Sequence, residues 1–250
     1  MKKHLPNLVT LLNILSGCIA VVFAVRNQID VAAVFVFLGI FFDYADGLLA
    51  RLLGVQSELG IQLDSLADMI TSGLVPGIVM FQLLSMSHTG GWNPVSLAEA
   101  SSGTDWHELL PFLGFMITLA SAYRLARFNI DENQVDSFTG LPTPANCLLI
   151  LSLPLILLYQ GNDYLNGLIL NSWFLVAMTL LSSFLLNAPI TLFALKFKNW
   201  SFKDNALRYV FVSISLVLLL TLEFLAIPLI VAFYILSSLF GAIKTEPSEV

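Results

Sequence analysis

Asp43-Tyr-Ala-Asp46-Gly47-Leu-Leu-Ala50-Arg51, followed after eight residues by Gly60-Ile-Gln-Leu-Asp64-Ser-Leu-Ala-Asp68, is the stretch whose reading decides the fold. It sets four aspartates at the abutting ends of two long apolar segments. A charged side chain at the centre of a helix in hydrocarbon costs roughly 2.5–3.5 kcal/mol. Four carboxylates without four matching lysines or arginines therefore need another source of positive charge, and a divalent cation is the obvious one. Asp43 and Asp46 are three residues apart and Asp64 and Asp68 four, so on helices each pair projects from one face. Two such faces brought together make an all-oxygen pocket, which suits hard cations such as Mg²⁺, Mn²⁺ or Ca²⁺. Gly47 and Ala50 strip bulk from the first helix and Gly60 from the start of the next, so a ligand can approach the backbone closely. Taken one at a time, these acids read equally well as ordinary interfacial carboxylates at helix ends.

The surrounding composition is that of a polytopic membrane protein. Of 250 residues, 57% are apolar and only 11% charged, whereas soluble domains carry about 25% charged residues. The net charge is −6 and there is no basic stripe, so no nucleic-acid partner is expected. Cys18 and Cys147 both lie in apolar runs and read as small buried residues rather than a disulfide or a metal site.

The hydropathy pattern predicts an all-α bundle of six to eight transmembrane helices, with eight preferred. A first span over about Leu8–Val25 follows the basic start Lys2-Lys3, an arrangement that mimics a signal peptide. Asn7, Thr10 and Asn13 stripe one face of it, so a retained helix is expected, with the stripe serving either packing or ligand contact. Further spans read as about Val31–Leu53, Gly60–Ser85, Glu108–Phe128, Thr143–Gln160, Asn171–Pro189, Tyr209–Leu222 and Phe224–Phe240, the last two separated only by Glu223. With the amino terminus in the cytoplasm and eight crossings, ten of the eleven basic residues face the cytoplasm, Arg26 being the exception. That count brings the four aspartates, Arg124 and Arg127 to the cytoplasmic surface. It leaves His88–His107, with Trp92 and Trp106, as an outer interfacial loop without chemistry. Two prolines flanking Thr143 fix the start of the fifth span. Arg124 and Arg127, near Asn129, are either positive-inside anchors or anion ligands, a task suited to guanidinium. The basic loop Lys196–Arg208 reads as an adhesive for anionic head groups, and the tail Lys244–Val250 as disordered.

The order Asp43-x-x-Asp46-Gly47-x-x-Ala50-Arg51, eight residues, Gly60-x-x-x-Asp64-x-x-x-Asp68 resembles the signature of the CDP-alcohol phosphotransferase family at every fixed position. Arg124-Leu-Ala-Arg127-Phe-Asn129, Gly140-Leu-Pro-Thr-Pro144, Leu63-Asp64-Ser-Leu-Ala-Asp68 with Gly73 and Pro76, and Pro6-Asn7 leading into Thr10 look like the branch of that family whose acceptor is serine. Ser72 departs from an expected aromatic and Val75 from an expected alanine. The resemblance covers about Pro6 to Pro154. It implies transfer of a phosphatidyl group from CDP-diacylglycerol to the hydroxyl of L-serine, with release of CMP. It also implies two divalent cations, Mg²⁺ or Mn²⁺ before Ca²⁺, held by Asp43, Asp46, Asp64 and Asp68, with Asp68 also the general base. On the same resemblance Gly47, Ala50, Arg51 and Gly60, with Asn7 and Thr10, line the CDP-lipid site. From charge and topology, Arg124, Arg127 and Asn129 are assigned to the acceptor. A homodimer in a bacterial inner membrane, with the active site facing the cytoplasm, is further implied. The whole chain is expected to form one integral membrane catalytic domain, with a motif-bearing core over about 6–190 and additional helices over about 209–240. Glycerol 3-phosphate or an inositol phosphate as acceptor, a divalent-cation transporter and a lipid-binding scaffold are the competing readings.

Overall fold

In the computed structural model the described residues are 4–90, 109–130, 137–193 and 202–243. The stretch containing Trp92 and Trp106, residues 196–201 of the loop expected over Lys196–Arg208 and the tail Lys244–Val250 lie outside them. Helix α1 spans Leu5–Val25 and α2 Ile29–Leu53. A third rod runs through α3 (Glu58–Asp68), a π-helical turn (Met69–Leu74) and α4 (Val75–Thr89). A 3₁₀ turn (Leu110–Gly114) leads into α5 (Phe115–Ile130), and after it come α6 (Thr143–Tyr159), the short α7 (Asp163–Ile169) and α8 (Ser172–Asn187). Helices α9 (Phe202–Leu222) and α10 (Ala226–Ile243) close the chain. The one strand pairing described is a ribbon in which β1 (Ser137–Thr139) runs antiparallel to β2 (Thr191–Phe193), with Phe138 opposite Leu192.

The faces of α1 show which solvent the bundle is built for. Its inner face carries Thr10, Asn13, Ser16, Gly17, Ala20 and Ala24, whereas Leu5, Leu8, Leu11 and Leu15 point outwards. Small and polar residues inside with leucines outside is the reverse of a soluble helix, and it is the packing rule of helices in lipid. The chain is thus an all-α membrane protein. Cys18 falls on the outer face and is exposed, contrary to the expectation that both cysteines are buried; Cys147 is buried.

The rod from Glu58 to His88 is the axis of the bundle, with 72% of its most apolar window buried. The π turn at its middle aims Thr71 at α1, where the Thr71 hydroxyl donates to Asn13 Oδ1 at 2.8 Å. Gly39 on α2 makes the room. A Cβ there would lie 2.6 Å from Thr71 Cγ2 and 2.8 Å from Asn13 Oδ1. Single π turns in α-helices recur at functional sites, and no hydropathy pattern announces this one. The two departures noted above, Ser72 and Val75, are fully buried in the same region.

By length and apolarity, four helical stretches among the described residues are able to cross a bilayer, or five if the bent pair α7–α8 (59°) counts as one. One of the four, Arg208–Leu239, is not a straight rod. Phe211 stacks on Phe233 with ring centroids 5.6 Å apart, whereas 22 residues of continuous helix would separate them by ~33 Å. The chain doubles back at Glu223, whose φ of 46° breaks the helix, so α9 and α10 form a hairpin, divided where the apolar runs divide. Its tip is pinned to the core by Gln160, whose amide donates to the Leu222 carbonyl (2.9 Å) and accepts from the Leu225 N–H (3.0 Å).

Candidate active site

Asp43 and Asp46 stand in the third turn from the end of α2, and Asp64 and Asp68 on α3. The two helices are joined by Gly54 in the left-handed region (φ 61°) and by Ser57, which caps α3 by accepting from the Gly60 N–H at 3.1 Å. This short connection folds the acid-bearing ends onto each other. One carboxylate oxygen from each of Asp43, Asp46 and Asp64 lies within 4.8 Å of the others, the one such group among the described residues. Thr10 on α1 donates to Asp46 Oδ2 and also to the Pro6 carbonyl. Asp64 Oδ1 is buried without a hydrogen-bond partner. Three like charges at this spacing, with one oxygen left unpaired, are unfavourable, and either a shared proton or a cation relieves them. An all-oxygen set of this kind fits a hard divalent ion.

Asp68 stands beside the trio and is acted on by the negative charges of Asp64 and Asp46. Thr143, at the start of α6, directs its hydroxyl at Asp68 Oδ2 over 3.5 Å, a long contact. That position follows from the Gly140-Leu-Pro-Thr-Pro144 run. Gly140 takes φ 74°, its N–H bonds the Ile190 carbonyl at 2.9 Å, and Pro142 and Pro144 then start the helix with Thr143 buried. Arg124 on α5 is buried, with Nε unpaired, and lies within electrostatic reach of Asp68 and of Tyr234 on α10. Arg127 is exposed, so the structure separates the two arginines that the sequence treats alike. Asn129 ties α5 to α3, accepting from the Ser65 hydroxyl (3.0 Å) and donating to Gln62 Oε1 (3.3 Å).

Next to the trio is a cavity of about 480 Å³. Gly47, Ala50, Arg51, Gly60 and Thr10, which the sequence places together, all line it, as do Asp46 and Asp64. Asn7 is not among the lining residues and sits behind Gly60, its Oδ1 3.4 Å from where a Cβ would be. Arg51 is exposed, its Nε held by the Gly47 carbonyl at 3.0 Å, which leaves the rest of the guanidinium facing the cavity. Sequence reasoning missed Phe128 and the Val55–Ser57 connection as lining, and missed that Thr143 reaches Asp68. Of these only Ser57 left a signal, as a capping residue ahead of an apolar periodic run.

The chain resembles several known proteins. A CDP-diacylglycerol–serine O-phosphatidyltransferase of Bacillus subtilis is 30% identical over 156 residues, 60% of this chain and 76% of that protein. One from Helicobacter pylori is 32% identical over 164 residues, 65% of this chain and 61% of its own length. An archaetidylserine synthase of Methanothermobacter thermautotrophicus is 29% identical over 150 residues, 59% of this chain and 56% of that protein. The profile of the CDP-alcohol phosphatidyltransferase family matches residues 3–185, which take in all four aspartates, the glycine-lined cavity beside them and Arg124. With that match over most of its length, and the motif residues gathered at one end of its bundle, the chain belongs to the CDP-alcohol phosphatidyltransferase family.

Proposed function

We propose that this protein transfers the phosphatidyl group of CDP-diacylglycerol to the hydroxyl of L-serine, forming phosphatidylserine and releasing CMP. The observation that carries the reading is the trio Asp43, Asp46 and Asp64 beside a cavity lined by Gly47, Ala50, Arg51 and Gly60. Carboxylates alone would repel a diphosphate, and the three oxygens converge where a bridging cation would reconcile the two. Asp43, Asp46, Asp64 and Asp68 would hold two divalent cations, Mg²⁺ or Mn²⁺ by donor type. When bound, these neutralise the diphosphate and polarise its phosphoryl oxygens.

The chain's own residues supply the rest. The cavity receives the cytidine diphosphate, with Gly47 and Gly60 keeping its walls free of side chains and Arg51 facing the phosphates. Asp68 takes the proton of the serine hydroxyl as that oxygen bonds to the lipid-linked phosphorus and the bond to CMP breaks. Thr143 orients Asp68 for this role. Arg124, the buried cation beside Asp68, binds the serine carboxylate. The single buried arginine favours a monoanionic acceptor over a phosphorylated one, in accord with the serine transferases among the relatives. The chain acts as one catalytic domain of six to eight spans in a bacterial inner membrane, with the acid mouth at the cytoplasmic face and a second copy as partner.

The test is to incubate purified protein with CDP-diacylglycerol, Mg²⁺ or Mn²⁺, and serine, glycerol 3-phosphate or an inositol phosphate, and to measure CMP. Release dependent on serine supports the reading. Release with another alcohol alone overturns the acceptor, and release with none overturns the activity.

A further inference from the structure

The α9–α10 hairpin lies beyond residue 185, where the family profile ends, and it forms one wall of a second cavity. This is an apolar trench of about 830 Å³, within the range of ~300–1,000 Å³ typical of ligand sites. Phe37 of α2 and Ala145 and Leu148 of α6 form its other wall. On α10 the lining residues Ile227, Ile230, Val231 and Tyr234 fall at the spacing of one helical face. From Phe224, which also lines it, to Tyr234 the trench follows ten residues, ~15 Å at 1.5 Å per residue. That is the depth of one leaflet, half of a hydrocarbon core ~30 Å thick.

The two ends of the trench differ. At one, the lining residue Pro142 immediately precedes the threonine that donates to Asp68, and the lining residue Tyr234 lies within electrostatic reach of Arg124. The trench therefore begins at the residues assigned to the reaction. At the other end lie Phe224, Glu223 and the tip held by Gln160, Glu223 being the one acidic residue in the lining. Phe211, which also lines the trench, braces α10 by packing on both Phe233 and Tyr234 with centroids 5.6 Å away. A ligand with a polar head at the acids and a hydrocarbon body one leaflet long matches both ends and the length.

We propose that the trench takes one fatty acyl chain of the lipid donor, its ester end towards Tyr234 and its methyl end towards Phe224, so that the C-terminal hairpin sets which chain lengths are used. This rests on the phosphatidyl transfer proposed above. The hairpin touches the tail rather than the phosphorus, so blocking the trench changes the choice of donor and leaves the reaction itself intact.

The experiment compares CDP-dioctanoylglycerol with CDP-dipalmitoylglycerol in detergent micelles, for the full chain and for Ile230→Trp and Leu148→Trp, which fill the trench from opposite walls. Either variant is expected to lower kcat/KM for the long donor by roughly tenfold or more, the scale on which an apolar pocket discriminates. Turnover of the short donor should stay within about twofold of the unaltered chain. Equal loss with both donors, or no loss with either, overturns the proposal. Because a tryptophan can also disturb folding, the unaltered chain is in parallel photolabelled with a CDP-lipid carrying a diazirine near its acyl terminus. Adducts on α10 or α6 facing the trench support the proposal. Adducts confined to the outer faces of other helices overturn it. If the unaltered chain releases no CMP from either donor, the proposed function falls, while the photolabel still decides whether a lipid chain occupies the trench.

Discussion

The acid mouth and the apolar trench share helices α2 and α6 but are built by opposite rules. Around the mouth the contacts are polar and specific: Thr10 on Asp46, Thr71 on Asn13 and Ser65 on Asn129, with Gly39 where a side chain would intrude. The axial rod that carries Asp64 and Asp68 has 72% of its apolar window buried, against 11% for the Arg208–Leu239 stretch that walls the trench. That second wall is held by a few aromatic stacks and by Gln160 at its tip. Charge in a low-dielectric bundle tolerates little misplacement, because an unpaired polar group has no water to fall back on. Hydrocarbon against hydrocarbon has no preferred register. A reacting centre therefore demands the first construction, and a lipid tail is served by the second.

The sharpest way to break this contrast is at Asp64. Asp64→Asn should lower CMP release by at least ~10²–10³-fold, the scale for losing one preorganised electrostatic group. It should leave thermal stability without metal unchanged or raised, since a buried repulsion is relieved; a fall in stability instead would make Asp64 structural. Metal addition comes next. At a hundredfold excess over its Kd a cation should stabilise the unaltered chain by about 2.7 kcal/mol, and the Asp64→Asn variant by less. Melting in EDTA and in Mn²⁺ reads this directly, and equal shifts in both proteins would remove the trio as the site.

Arg124→Ala should raise KM for serine by roughly tenfold to a hundredfold, equivalent to the ~1.5–3 kcal/mol of a charged hydrogen bond, with KM for the lipid donor little changed. Arg127→Ala should stay within about twofold, and the opposite ranking would move the acceptor site outward along α5. Gly39→Ala, which drives a methyl into Thr71 and Asn13, should cost about 1–3 kcal/mol of stability as overpacking does, seen as a lower Tm. The smallest effect belongs to the hairpin. Gln160→Ala should cost about 0.5–1.5 kcal/mol for the lost tip contacts and leave turnover of a short-chain donor unaltered. Loss of that turnover would show that the hairpin serves the chemistry as well as the tail.

Read alone, the sequence determined the membrane class, the existence of most of the helices and the gathering of Asp43, Asp46 and Asp64, whereas Asp68, expected in the same set, stands beside it. These rest on composition and on spacings within one helix, where a separation of three or four residues is already a spatial statement. It also separated α9 from α10 at Glu223, since the apolar runs break there. Only the tertiary structure decided the rest. It buried Arg124 and exposed Arg127, turned Cys18 outward, set Asn7 behind Gly60 rather than in the cavity, and inserted the π turn that carries Thr71 to α1. It brought Thr143 to Asp68 and laid the hairpin along α6 to form the trench. The physical reason is the same in each case. Helical periodicity fixes which residues share a face, whereas the partner of that face depends on how separate helices cross, and that is set by small residues and polar contacts far apart in the chain.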